Sequence, residues 1–275
     1  MSNKTICPVC PHHCALAEGQ TGRCRARGNR DGSVVSLSYG RVTSVALDPV
    51  EKKPFNRWQS GKYILSVGTF GCNLSCAYCQ NAAISQVGAE TEAEDLSPER
   101  LAYLAGVFAY RGNIGAAFTY NEPLIGWEYV YDAAKLLHEK GLLVALVTNG
   151  TAEPEILETL LPYVDAMNID LKTWSAENYK KLGGDLDTVK HTITRAAKSC
   201  HVEVTTLAAP GFGDDAAAMD EEAAWLAAIS EDLPLHISRY FPRWKMDEPT
   251  TPMGTMEKLC ETARKHLRYV YAGNC

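Results

Sequence analysis

From residue 63 onward, short β-branched or apolar runs alternate with longer amphipathic stretches, and this alternation constrains the fold more than any other feature. The runs YILSVG (63–68), GAAFTY (115–120), LVALVT (143–148), DAMNID (165–170), VEVTTL (202–207), LHISRY (235–240) and RYVYAG (268–273) predict strands. Helices are predicted between them near 97–111, 124–140, 153–162, 186–199, 219–231 and 254–266. Boundary signals agree. Ser97 precedes Pro98 and Glu99, Thr151 precedes Glu153 and Glu155, and Gly141 stands where a helix C-cap belongs. Six or seven strand–helix units in succession predict an α/β fold with a parallel sheet, as a closed or partial barrel or a doubly wound layer. In each case functional groups collect at the C-terminal strand ends.

Before this region the pattern is different. Residues 1–32 are rich in Cys, His, Gly and Arg and too few to build a core without a metal staple. Residues 33–60 hold the β-like stretch VVSLSYG and a polar connector, ALDPVEKKPFNRW, whose charged part (Asp48 to Pro54) is expected to be a solvated loop. The expected division is therefore a Cys-rich segment with its connector over 1–60 and a main α/β domain over 61–275.

The N-terminal MSNKTICPVC lacks the apolar core of a signal peptide, and no run approaches about 18 apolar residues. A cytoplasmic chain with reduced thiols is expected, with no membrane attachment. A net charge of −6 argues against a nucleic-acid partner. Of the ten cysteines, seven fall in two tight groups, Cys7/Cys10/Cys14/Cys24 and Cys72/Cys76/Cys79. Under reducing conditions such grouping predicts metal binding rather than disulfides. Cys200 and Cys260 read as core filler, and Cys275 as a free tail thiol.

Cys72, Cys76 and Cys79 follow the first strand of the repeat directly. Three thiolates on one short loop can ligate three irons of a 4Fe–4S cube and leave the fourth open to an exogenous ligand. A structural zinc would need a fourth protein ligand, and none stands nearby in sequence. The four N-terminal cysteines form a complete set, with the Cys-Pro-x-Cys turn of a zinc knuckle. They fit structural zinc or an auxiliary Fe–S cluster.

The Cys-x3-Cys-x2-Cys spacing, with Tyr78 before the last cysteine, resembles the signature of the radical S-adenosylmethionine (SAM) superfamily. The resemblance extends over the chain through CPVCPHHC, YGRVTSVALDPVEKKPF, SVGTFGCNLSCAYCQN, FTYNEPLIGWEY, LVTNG, MNIDLKTW, EVTTLAAPG, HISRYFPRWKM and YVYAGN. It is similar to the group around pyruvate formate-lyase activating enzyme, and most similar to the AmmeMemoRadiSam system radical SAM enzymes. That resemblance implies a partial (β/α)6-type barrel, a 4Fe–4S cluster on Cys72, Cys76 and Cys79, and SAM chelating the open iron. It further implies reductive cleavage of SAM to a 5′-deoxyadenosyl radical that abstracts hydrogen. An electron donor such as flavodoxin or ferredoxin is implied, with a glycyl radical enzyme or an AmmeMemo protein as partner.

Residue by residue, the resemblance implies a SAM site at successive strand ends. Tyr78 matches the aromatic near adenine. Asn121 and Glu122 stand where the family has Gly-Gly-Glu, which puts Glu122 on the SAM amino group, with Asn121 replacing a glycine. Thr148, Asn149 and Gly150 match part of an Asp-Thr-Asn-Gly segment. The Asp that helps form a monovalent-cation site in the activases is Val147 here. Lys172 is expected at the SAM carboxylate, and Asp170 at the ribose or an adjacent cation.

His236 and Arg239, near the end of the sixth strand, are candidates for substrate binding, Arg239 through a carboxylate. Trp127, Tyr129 and Tyr131 fall at helical spacing and read as packing. Two substrate classes stay open: a glycine in a glycyl radical enzyme, and a small molecule or an AmmeMemo partner protein. A function of another kind, a non-catalytic zinc-binding adaptor using both cysteine groups, predicts zinc and no SAM cleavage.

Overall fold

The computed structural model describes residues 4–275. The N-terminal segment is built from three small antiparallel pairings. These are β1 (Thr5–Ile6) with β2 (Ala15–Leu16), β3 (Arg27–Arg30) with β4 (Ser33–Ser36), and β5 (Arg41–Val42) with β8 (Glu94–Asp95).

The main sheet comprises β6 (Ser44–Pro49), β7 (Tyr63–Gly68), β9 (Asn113–Phe118), β10 (Leu143–Thr148), β11 (Ala166–Asp170), β12 (His201–Ala208), β13 (Leu235–Arg239) and β14 (Val270–Gly273). Its order is β14-β13-β12-β11-β10-β9-β7-β6. The strands from β7 to β14 in this sheet run parallel, and β6 pairs antiparallel with β7 along Ser44–Pro49. The two ends of the order, β6 and β14, do not pair with each other, so the barrel is partial, as the resemblance implies.

Among the described residues, eight α-helices accompany the sheet: α1 (Ala82–Ser85), α2 (Pro98–Val107), α3 (Trp127–Glu139), α4 (Pro154–Leu160), α5 (Ala176–Leu182), α6 (Leu186–Ala196), α7 (Ala216–Ile229) and α8 (Met253–Ala263). Ser97 caps α2 by accepting the Arg100 N–H, as its position before Pro98 predicts. Tyr129 is buried and donates to the Leu96 carbonyl, while Trp127 and Tyr131 pack at the edge of the core.

Period-two alternation divides each strand between two environments. Outward residues such as Leu65, Val67, Phe118, Leu146, Met167, Ile169, Val204 and Ile237 join the helices in the main core. Inward residues are small at one side of the barrel, Ala117, Ala145 and Ala166, and polar at the other, Asn168, Glu203, Thr205 and His236. The small side makes room for a plug. Phe55 is fully buried against these alanines together with Val50, Trp58 and Ile64.

The connector is therefore not a solvated loop. Its residues 44–49 form a sheet strand, and Lys53 and Phe55 are buried. Its backbone is tied inside the barrel. The Pro54 carbonyl accepts from Asn168 Nδ2 at 2.9 Å, and the Asn56 and Arg57 N–H groups donate to Glu203 at 3.0 and 2.8 Å. Charged residues in this stretch mask a plug whose apolar anchor is Phe55.

Candidate functional site

A cavity of about 680 Å3 opens at the C-terminal strand ends. It lies within the ~300–1,000 Å3 range usual for ligand and cofactor pockets. Cys72, Cys76 and Cys79 line it, with Tyr78, Asn121, Glu122, Thr148, Asn149, Asp170, Lys172 and His236.

The three cysteines sit on the loop leaving β7. Gly71 starts that loop at φ +87°, and an added Cβ there would lie 2.5 Å from the Cys24 carbonyl oxygen. Only glycine fits both the conformation and the approach. Asn121 fixes the loop from the opposite side. Its Oδ1 accepts the Thr69 N–H at 2.9 Å, and its Nδ2 donates to the Phe70 and Gly71 carbonyls, each at 3.2 Å. The Leu74 N–H reaches Cys72 Sγ at 3.4 Å, and the Cys79 sulfur lies 3.1 Å from Ser85 Oγ.

Burial pushes the Cys76 thiol up to about 11 despite the nearby Lys172 ammonium. Cys72 is pushed well above the ordinary cysteine range by burial, by Glu122 and by the other two thiols. Such a donor set needs a bound cation before it ionises. Among the described residues, no three His, Cys, Asp or Glu side chains gather closely enough to hold a single metal ion. Thiols that each serve a different corner of a cube are not held to that spacing.

Glu122 is buried and accepts three hydrogen bonds. Thr148 Oγ1 donates at 2.6 Å, the Asn149 N–H at 2.7 Å and the Leu124 N–H at 2.9 Å. Burial nevertheless pushes its carboxyl up to about 7. A carboxylate offers about four acceptor positions, so about one is left for a ligand. Its principal contacts join the ends of β9 and β10.

Asn149 continues this link. Its Nδ2 donates to Asn73 Oδ1 at 2.9 Å and approaches Cys72 Sγ at 3.6 Å. Across the cavity, Lys172 Nζ lies 2.6 Å from Asp170 Oδ2. Burial opposes the Lys172 charge, yet Asp170 and the Cys76 thiol outweigh it and hold the ammonium above the usual lysine range. Tyr78 packs edge-on against Phe212, and its buried hydroxyl has no hydrogen-bond partner.

A further group, to which sequence reasoning assigned no role, borders the cavity. Lys53 Nζ lies 3.0 Å from Asp48 Oδ2 and 4.4 Å from the centre of the Tyr120 ring, whose hydroxyl donates to the same oxygen at 2.9 Å. Tyr120 holds φ +73°, a strained conformation for a non-glycine residue. The signal available in the sequence was weak: a Lys-Lys pair read as surface charge, and a Tyr read as strand. Of the two substrate candidates, His236 faces the cavity, stacked on Tyr271. Arg239 instead donates Nε to the Thr251 carbonyl at 2.8 Å and lies over the Phe241 ring.

The family model for the Radical SAM superfamily matches residues 66–224, more than half of the chain. The chain belongs to the radical SAM superfamily. An uncharacterized protein of Methanocaldococcus jannaschii is 37% identical over 99% of this chain and 82% of its own length. The pyruvate formate-lyase-activating enzyme of Clostridium pasteurianum is 30% identical over 42% of this chain and 48% of its own. A domain of pyruvate-formate lyase-activating enzyme from Bacteroides vulgatus superposes with a TM-score of 0.52 at 18% identity, covering 58% of this chain and 99% of that domain. This last likeness is one of fold. Membership makes this radical SAM enzyme one whose family uses a 4Fe–4S cluster and SAM. No helix among the described residues is long and apolar enough to cross a membrane.

Proposed function

We propose that this enzyme cleaves SAM reductively at a 4Fe–4S cluster held by Cys72, Cys76 and Cys79, and aims hydrogen abstraction at a substrate in the barrel lumen. The observation that carries this reading is the facing of three free thiols, the unpartnered Tyr78 hydroxyl and the Asp170–Lys172 pair across one cavity. The donor set fits the group: thiols for iron, an ammonium for a carboxylate, and a buried hydroxyl beside the space an adenine would take. When bound, cluster and SAM together supply one-electron cleavage of a sulfonium and a radical that abstracts hydrogen.

The chain's own residues orient and enclose. Lys172 binds the SAM carboxylate, and Asp170 holds Lys172 and takes a ribose hydroxyl. Glu122 uses its remaining acceptor position for the SAM amino group. Thr148 and Asn149 keep that carboxylate and the Cys72 loop in register, and Asn121 fixes the loop backbone. The Phe55 plug excludes water from the far end of the lumen.

For the substrate, the similarity to a pyruvate formate-lyase-activating enzyme supports the activase branch, a glycine of a glycyl radical enzyme; the flavodoxin- or ferredoxin-type electron donor follows from the resemblance alone. A second reading, a small molecule or an AmmeMemo partner protein, has its own support. The lumen beyond the cysteines is polar, lined by Lys53, Tyr120, Thr205, His236 and Tyr271. His236 is the substrate contact in that reading; Arg239 would have to release Thr251 to become one.

Anaerobic reconstitution with iron and sulfide, then SAM and a strong reductant, tests the proposal. The expected product is 5′-deoxyadenosine, lost in Cys76→Ala. Zinc without a 4Fe–4S signal, and no 5′-deoxyadenosine, would favour the zinc-binding adaptor. A glycyl radical signal after mixing with a glycyl radical enzyme would select the activase branch.

A further inference from the structure

The four N-terminal cysteines are not used by the reaction above, yet the fold brings them together and sets them against the reaction's own loop. Cys7 and Cys14 close the β1–β2 pair, the Cys7 N–H donating to the Cys14 carbonyl at 3.0 Å. Cys10 lies at the tip between them, and Cys24 enters from the next turn. Cys10 is within electrostatic reach of Cys7 and Cys24, and Cys24 of Cys7 and Cys14. All four are free thiols, and Cys7, Cys10 and Cys24 are buried.

A buried cation completes the set. Arg27 is 3% exposed, and its two terminal nitrogens are held by Glu128 at 2.9 and 2.8 Å and by the Ile125 carbonyl at 3.0 Å. Its Nε–H has no partner among the described residues, and its charge lies within reach of Cys7 and Cys24. Glu128 meets the guanidinium charge from one side, but a donor this deep without an acceptor is costly unless an anion also stands near its Nε–H. A four-thiolate metal centre, with its net negative charge, is such an anion.

The same segment is locked onto the Cys72 loop. The Cys72 N–H donates to the Cys24 carbonyl at 3.2 Å, and His12 Nε2 lies 2.9 Å from the Asn73 carbonyl oxygen. The Asn73 side chain bonds the Thr151 carbonyl at 2.7 Å and Asn149 at 2.9 Å. The Glu153 N–H donates to the Val9 carbonyl at 3.0 Å. Residues 7–24 thus grip the first cysteine of the strand-end loop and the end of β10 together.

We propose that Cys7, Cys10, Cys14 and Cys24 form a four-thiolate centre for a thiophilic metal, zinc or an iron–sulfur cluster, and that this centre positions Cys72 and Asn73. The metal site stands on its own; the positioning half rests on the reading of Cys72, Cys76 and Cys79 as a cluster site. As placed, no three of these sulfurs gather closely enough for a single ion, so zinc would have to draw them together, whereas a cluster accepts a wider set.

The test uses the full chain, purified anaerobically and reconstituted. Elemental analysis with zinc-edge X-ray absorption and Mössbauer spectroscopy distinguishes the two metals. About one zinc per chain in sulfur-only coordination identifies zinc, and about four irons beyond the strand-end cluster identify the second cluster. Cys10→Ser and Cys24→Ser are expected to lose that increment, and Cys76→Ala to keep it. A wild-type chain with neither increment overturns the metal site, whatever the variants do.

His12→Ala leaves all seven grouped thiols in place while cutting the bond to Asn73. It is expected to keep the N-terminal metal, alter the SAM-bound electron paramagnetic resonance signal of the strand-end cluster, and slow 5′-deoxyadenosine formation about tenfold or more. An unchanged signal and rate in this variant overturn the positioning role. Metal at the N-terminal site in a chain that never cleaves SAM would leave the site standing and sink only the enzymatic reading.

Discussion

His236 Nε2 lies 2.6 Å from Glu203 Oε2 inside the barrel, and this bond joins β13 to β12 beneath the cavity. The other carboxylate oxygen is 2.9 Å from His201 Nε2, and both oxygens also accept backbone N–H groups of the plug. Glu203 therefore ties strand, plug and cavity wall through one fully buried group. Burial alone would raise its carboxyl, but His201, His236 and the two N–H donors outweigh it and bring it down to about 2.

A depressed folded-state value sets the sign. The stabilisation is present above the unfolded glutamate value of ~4.3 and is lost as pH falls toward about 2. Glu203→Gln is expected to lower stability at pH 7 by about 3–5 kcal/mol, as for one partner removed from a buried pair. It should also flatten the acid side of the stability curve. Urea denaturation from pH 7 to pH 3 measures both; parallel curves for the two proteins would contradict the role given to Glu203.

Phe55 anchors the same plug from its apolar side. Phe55→Ala leaves a void among Ala117, Ala145 and Ala166, none of which can reach across it. The expected loss is about 3–5 kcal/mol. A loss under about 1 kcal/mol in thermal or urea unfolding would show that the plug is not packed as described.

Much of this architecture was legible because period-two strands and capped helices are local signals. LVALVT and YILSVG match β10 and β7 residue for residue, and Ser97 caps the helix it announces. What stayed hidden depends on partners distant in sequence. Nothing in Lys53 or Phe55 announces burial, because the small residues that admit the plug lie 60 to 110 positions away. Nor does Arg239 announce that Thr251 holds it. The candidate SAM residues were legible as motifs, but Asn121 and Glu122 are held mainly by protein donors and carbonyls that only the fold brings near. The strand β6 was missed because its sequence, SVALDP, carries Asp48 and ends in Pro49, both disfavoured in strands.

Gly71 gives a sharper test of the cysteine loop. An added Cβ would lie 2.5 Å from the Cys24 oxygen and 2.8 Å from the Ala26 Cβ, at a backbone angle that L side chains disfavour. Gly71→Ala is expected to displace the loop at a cost of about 1–3 kcal/mol and to reduce iron retained after desalting. Gly106→Ala is the control, since an added Cβ there meets nothing within 4 Å. It should gain about 0.5–1 kcal/mol as a helix-interior replacement and leave iron content unchanged. Equal iron in the two variants would refute the tight approach of the segments.

Glu222, on α7, faces the main core with Thr206 Oγ1 as its one side-chain partner, and burial pushes its carboxyl up to about 8. The sign is opposite to that of Glu203. A raised folded-state value means that the native state keeps a proton the unfolded chain has released. Stability is full below the unfolded value of ~4.3 and falls by about 1.4 kcal/mol per pH unit as pH rises toward about 8. Glutamine preserves the shape and carries no ionisable proton, so Glu222→Gln should remove this decline and be more stable than the parent at pH 8. At pH 5 the gap should be only about 1 kcal/mol, because the pH is then little above the unfolded value. Unfolding free energies at pH 5, 6.5 and 8 check this, and a gap between the proteins that does not widen with pH would mean that Glu222 is ionised in its place on α7.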